Sequence, residues 1–155
     1  WHLIGHLQRN KARRAVGLFD LLHSLDSPRL AGQLAAEGAA AGVPVRALVQ
    51  INVAGEDRKG GLPLEGALDA LAPLCDLPGL RIEGLMTMAP FTGDPAVLRR
   101  VFRAARGLWE EAGQQVAGFH PLHLSMGMSN DFEVAVEEGS TLVRLGTVLF
   151  GERHG

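Results

Sequence analysis

The chain has 155 residues, 46% apolar and 21% charged, with a formal net charge of −2, which is the composition of one globular domain with a real core. That charge excludes a broad nucleic-acid footprint, because Arg9, Lys11, Arg13 and Arg14 form only a short local cluster. The single cysteine, Cys75, excludes an internal disulfide and reads as a small buried hydrophobe, and no apolar run is long enough to cross a bilayer.

Strand-like and helix-like runs alternate along the chain. Trp1–Gly5 is apolar and ends in Gly, and a basic helix is expected over Arg9–Leu18. Leu21–Leu25 is the next strand. Ser27-Pro28 then caps a helix that stops at Gly42. Val45–Val53 is nearly all apolar, as a strand covered on both faces should be. A polar loop, Ala54–Gly61, leads to an expected helix from about Pro63 to Cys75, and Arg81–Met88 is another strand. Asp94-Pro95 opens the clearest helix. It carries Val97, Leu98, Val101, Phe102, Ala105, Leu108 and Trp109 on one stripe, with Arg99, Arg100, Arg103 and Arg106 largely off it. Two short strands close the series, Pro121–Ser125 and Thr141–Leu145. Between them a helix is expected over Asp131–Glu138, with Ser129 or Asn130 as N-cap and Gly139 as the stop.

About six strand–helix units of roughly 25 residues imply an α/β fold with a parallel sheet. An open doubly wound sheet and a (β/α)8 TIM barrel both fit this alternation. A barrel keeps its phosphate site in the loops after its last two strands. The opening at Trp1 inside a strand-like run, with no initiating Met or leader, fits a barrel whose first units lie upstream.

The last two strands each run into a small-residue turn: Ser125, Met126 and Gly127 in the first, Gly146 and Thr147 in the second. Glycine lets backbone N–H groups approach an anion closely, and a following helix N-terminus adds partial positive charge. Arg144, two residues before Gly146, projects from the same strand face. An arginine between Val143 and Leu145 must snorkel, pair or hold a ligand. The spacing is that of a split phosphate cradle with a cation beside it, although Gly, Ser and Thr at strand ends also make ordinary turns. Spacing alone leaves the two readings level.

Three segments in order, WHLIGHLQRNK, GLMTMAP and LSMGMSNDFEVAVEEGSTLVRLGTVLFG, resemble the YggS/PROSC family of pyridoxal-phosphate-binding proteins over essentially the whole chain. The VRxGxxxFG segment and GLMT also resemble the barrel domain of alanine racemase. The resemblance implies that residues 1–155 are the C-terminal two-thirds of a single barrel domain binding pyridoxal 5′-phosphate (PLP), with about six of its eight βα units present. It implies a cytoplasmic protein, expected to be monomeric, that acts in PLP homeostasis with no established turnover, with PLP-dependent apo-enzymes as candidate recipients. The phosphate is then expected on Ser125, Met126, Gly127, Gly146 and Thr147, with Arg144 facing the pyridine nitrogen.

A guanidinium offers only donors, so the ring nitrogen opposite Arg144 must be an unprotonated acceptor, and such a ring is a poor electron sink. That favours holding PLP over demanding carbanion chemistry. The family's Schiff-base lysine has no match here and is expected in the absent N-terminal part. Lys11 reads as a solvated helix charge and Lys59 as a surface lysine in the EDRKGG loop.

His2 and His23 read as core or rim histidines, and no metal or catalytic residue is expected. His120 and His123, flanking Pro121, are too strand-like for a helical metal pair. Met86 is a candidate for the pocket lining, and Asp131 and Glu133 complement a helix dipole. Ser125 has no base at hydrolase spacing. Two other readings are a PLP-dependent racemase and a sugar-phosphate barrel enzyme. The first is weakened by the absence of Tyr and of sequence for a domain beyond the barrel, the second by the absence of good bases at earlier strand ends.

Overall fold

The computed structural model describes residues 1–56 and 60–151. The elements are β1 (His2–Leu3), a 3₁₀ turn (Arg9–Lys11), α1 (Ala12–Ala15), β2 (Leu21–Leu25), α2 (Pro28–Ala41) and β3 (Val45–Asn52). Then follow β4 (Leu62–Pro63), α3 (Ala67–Cys75), β5 (Leu80–Met86), α4 (Pro95–Gln115), β6 (His123–Met128), α5 (Phe132–Glu137), β7 (Leu142–Arg144) and α6 (Thr147–Phe150).

All strand pairs are parallel and the order is β1-β2-β3-β5-β6-β7, with β4 paired off this path to β3. The order never reverses, so the sheet has no switch point of the doubly wound kind. Right-handed crossovers running in one direction place the connecting helices on the same face. The packing agrees, because the buried residues of α2, α3, α4 and α5 all fall in one large core cluster with Ala47, Val49, Ile51, Ile82, Leu85 and Leu124 of the strands. A second, small cluster of Leu21, Leu48 and Met86, joined by Met88 and Leu142, occupies the opposite face.

That opposite face is concave. In a flat sheet β2 and β6, three strand spacings apart, would be separated by about 14 Å. Instead His23 of β2 reaches Ser125 of β6 with Nδ1 and Oγ 2.9 Å apart. The six strands therefore curl into a half-barrel, as the TIM-barrel expectation requires and the doubly wound alternative does not.

Several boundaries differ from the sequence reading. The basic helix over Arg9–Leu18 is only a 3₁₀ turn and α1, because Val16 is extended and Gly17 takes a positive φ. The helix expected from Pro63 begins at Ala67, since Leu62 and Pro63 pair with Ile51 and Asn52 of β3. The strand expected from Pro121 begins at His123, and the cap of α5 is Asp131, not Ser129 or Asn130. By contrast α2 follows its caps closely, with Ser27 Oγ accepting from Leu30 N–H and Gly42 closing in the left-handed region.

One glycine is required by the sheet itself. Gly84 has φ +146°, and a β-carbon there would lie 1.8 Å from the His123 carbonyl oxygen of β6. Gly107, exposed in α4, has open space around it. Gly84→Ala is expected to destabilise the fold by about 3 kcal/mol or more, and Gly107→Ala to stabilise it by about 0.5–1 kcal/mol, both read from urea midpoints.

Candidate functional site

At the carboxyl ends of the strands the concave face opens into a cavity of about 1300 Å³. Gln50, Met86 and Arg144 lie along it, Met128, Ser129 and Asn130 border it from the first turn, and Leu145, Gly146 and Thr147 from the second. His6 and Asp26 form the facing wall, 2.9 Å apart. The two turns thus open into the same space. A smaller cavity of about 270 Å³, between α1, α2 and the start of β3, is lined mostly by apolar side chains.

Arg144 is the only charged side chain of β7, and it is 8% exposed. Its Nη1 donates to Ser125 Oγ at 2.7 Å and its Nη2 to the Thr87 carbonyl at 2.9 Å. Among the described residues no carboxylate lies within ion-pair distance of it. Burial lowers its pKa to about 10, with the Asp131 charge opposing that shift, so the group stays a cation at neutral pH. A buried cation without a counter-ion is costly unless something supplies acceptors.

The other end of the concave face is closed electrostatically. Glu83, 2% exposed, accepts from Arg46 Nε at 2.9 Å on both oxygens and lies 3.1 Å from Arg81 Nε. Burial alone would raise its pKa, but the Arg46 hydrogen bonds and the two guanidinium charges hold it below the ordinary carboxylate value.

The expected phosphate residues are placed as follows. Ser125 is fully buried beneath the cavity, and Met126 points into the outer core while its N–H donates to Ser140 Oγ at 3.3 Å. Gly127 lets α5 pack closely, since a β-carbon there would lie 2.6 Å from Ala135 Cβ. The first turn therefore meets the cavity with Met128, Ser129 and Asn130, just beyond the three expected positions. Gly146 and Thr147 border it. Ser129 Oγ joins the two turns by accepting from Gly146 N–H at 3.1 Å and Val148 N–H at 3.4 Å.

Residues that sequence reasoning passed over hold this geometry. Thr141 Oγ1 accepts from Leu124 N–H at 2.7 Å, and the Ser140 hydroxyl lies 2.8 Å from the Met126 carbonyl, bracing β6 against β7. Glu138, though 7% exposed, is held by Arg99 Nη1 at 2.8 Å and Arg103 Nε at 2.7 Å, which clamps α5 to α4. The arginines off the α4 stripe were the available signal. His23, read as a core or rim histidine, contacts Ser125, the residue read as lacking a base. Ser125 is sealed from solvent, and His23's other nitrogen meets His2 and not a carboxylate, so no hydrolytic triad forms.

Lys11 is exposed and does not line the cavity, and Lys59 lies outside the described residues. Among the described residues no cluster of His, Cys, Asp and Glu is placed for a metal, and no helix is long and apolar enough to cross a membrane.

The alanine racemase N-terminal domain family matches residues 1–154. The pyridoxal phosphate homeostasis protein of Aquifex aeolicus is 42% identical over 153 residues, 99% of this chain and 67% of its own length. The chain belongs to the pyridoxal phosphate homeostasis protein family. The Escherichia coli K12 member is 40% identical, and the chain covers 64% of it, so this chain spans about two thirds of its curated relatives. PipY of Synechococcus elongatus has been solved with PLP bound, and that structure superimposes with a TM-score of 0.87 at 38% identity, covering 97% of this chain and 70% of PipY. An alanine racemase of Clostridium difficile, at 16% identity and a TM-score of 0.75 over 99% of this chain and 40% of its own, shares the fold. In this family member the two turns and Arg144 thus lie on a barrel-type sheet common to both groups.

Burial, aided by the charges of His2, Arg144 and His123, lowers the His23 pKa from 6.5 to about 4. The folded state therefore resists a proton that the unfolded state takes up. Stability from this group is fully present above pH 6.5 and is lost as pH falls toward 4. Urea midpoints are expected to fall between pH 7 and pH 5, and the decline should be shallower in His23→Asn. An equal slope in the two proteins would show that His23 is not the group responsible.

Proposed function

We propose that this chain supplies the phosphate-holding and ring-facing walls of a PLP site, in a protein that keeps the cofactor for PLP homeostasis and does not turn over a substrate. The observation that carries this reading is Arg144, a buried cation beside the cavity with no carboxylate partner among the described residues. A pyridine nitrogen supplies the kind of acceptor its free N–H groups need.

The two turns fit the other end of such a ligand. Gly146 has open space where a side chain would stand, and the N–H groups of Gly146 and Val148 already converge on one oxygen, that of Ser129. A phosphate offers stronger acceptors to the same donors. We assign the phosphate to Ser129, Asn130, Gly146 and Thr147, with Ser125, Met126 and Gly127 as the layer supporting them. Met86, fully buried and bordering the cavity, contributes an apolar surface for the ring.

When bound, PLP supplies electrophilic and electron-withdrawing chemistry. Arg144 limits it by keeping the ring nitrogen unprotonated, and this favours a carrier over a racemase. The recipients are proposed to be apo-enzymes that require PLP, with the cytoplasm as the compartment.

Absorbance titration with PLP tests the assignment. Arg144→Glu is expected to weaken binding by roughly tenfold or more and to shift the bound spectrum. Gly146→Val should cost affinity for PLP more than for pyridoxal, which lacks the phosphate. Unchanged affinity and spectrum in Arg144→Glu would mean that the guanidinium does not face the ring. Rapid racemisation of alanine by the wild-type chain would remove the carrier reading.

A further inference from the structure

Four strands contribute to one hydrogen-bonded line across the concave face: Arg144 of β7, Ser125 of β6, His23 of β2 and His2 of β1. The line has a direction that follows from counting hydrogens. Arg144 can only donate, so at 2.7 Å the Ser125 oxygen accepts. Ser125 is 0% exposed and its hydroxyl has one hydrogen to place. The partner within reach is His23 Nδ1, at 2.9 Å. Were His23 protonated at Nδ1, Ser125 would accept twice and its own hydrogen would be buried without an acceptor. His23 must therefore carry its hydrogen on Nε2, where it donates to His2 Nδ1 at 3.1 Å. His2 is exposed, so the line ends at solvent.

We propose that His23 and Ser125 are positioning residues for the pyridine-facing cation, His23 in its Nε2–H form directing the Ser125 hydroxyl so that its oxygen aims Arg144 into the cavity. This rests on the reading that the cavity takes a phosphorylated pyridine. With Nη1 fixed by Ser125 and Nη2 by the Thr87 carbonyl, the guanidinium plane is held on two sides and its remaining N–H groups are left for a ligand. The charged and titratable groups around His23 are His2, His123 and Arg144. Those around His2 are the N-terminal amine, His123, Asp20 and Arg46. Among the described residues none of the groups around His23 is a carboxylate, so the neutral, singly protonated ring is the form the surroundings favour.

Two measurements decide it. On the ligand-free full chain at pH 7, long-range proton–nitrogen NMR is expected to show His23 protonated at Nε2, and Ser125→Ala is expected to release it to a mixture of tautomers. Protonation at Nδ1, or no change on removing the hydroxyl, would overturn the relay whatever the ligand. The second measurement uses pyridoxine 5′-phosphate, which has the same ring and phosphate but no aldehyde, so no lysine enters the readout. In His23→Asn the amide oxygen takes the place of Nδ1 as acceptor, and affinity is expected to stay within about threefold of wild type. In His23→Leu, of similar bulk but with no acceptor, it should fall about tenfold, with a larger protonated-ring fraction in the absorbance spectrum. A space-filling role predicts the opposite order, Leu at least as good as Asn, and that result would refute the proposal. If the wild-type chain does not bind pyridoxine 5′-phosphate, the ligand reading fails, and the tautomer measurement alone decides whether the relay exists.

Discussion

The bond from Arg144 to the buried hydroxyl of Ser125 is the interaction on which the site depends, because it ties the cation of β7 to its neighbour β6, at the same hydroxyl that His23 reaches from β2 only because the sheet curls. A guanidinium inside a protein needs acceptors, and here they are a serine oxygen and a backbone carbonyl, neither of which neutralises it. The curvature that brings His23 across to the same hydroxyl follows from a strand order that never reverses, with α2, α3, α4 and α5 packed on the convex side. Ser125 thus links the curl of the sheet, through His23, to the cation that borders the cavity, through Arg144.

The two ends of the concave face handle charge in opposite ways. At one end Glu83 sits between Arg46 and Arg81 and its charge is consumed internally. At the other the positive charge remains, beside two turns joined where the Gly146 and Val148 N–H groups of the second converge on the Ser129 oxygen of the first. The first arrangement stabilises a fold and the second suits an anionic, acceptor-bearing ligand. The Glu138 clamp to Arg99 and Arg103, together with the hydroxyl braces of Ser140 and Thr141, holds the second arrangement in register.

Much of this was legible in the sequence. Ser27-Pro28 and Gly42 bound α2 because caps act locally, and the apolar stripe of α4 is buried as its period requires. Arg144 stood out because a charge in an apolar strand needs a reason. What could not be read was whatever depends on distant pairing. Pro63 looks like a helix start until it and Leu62 pair with β3. His23 and Ser125 are 102 positions apart, and only the curl of the sheet makes them neighbours. At β6 the pairing with β7 shifts register between Ser125 and Met128, and the residues that border the cavity, Met128, Ser129 and Asn130, follow directly on those that spacing picks out.

A crystal structure of the chain with pyridoxine 5′-phosphate tests most directly whether the two turns and Arg144 grip opposite ends of one ligand. The account predicts the phosphate between the Ser129 and Gly146 turns and the unprotonated ring nitrogen within hydrogen-bond distance of Arg144. A ligand bound with its phosphate on Arg144, or lodged away from both turns, would contradict it.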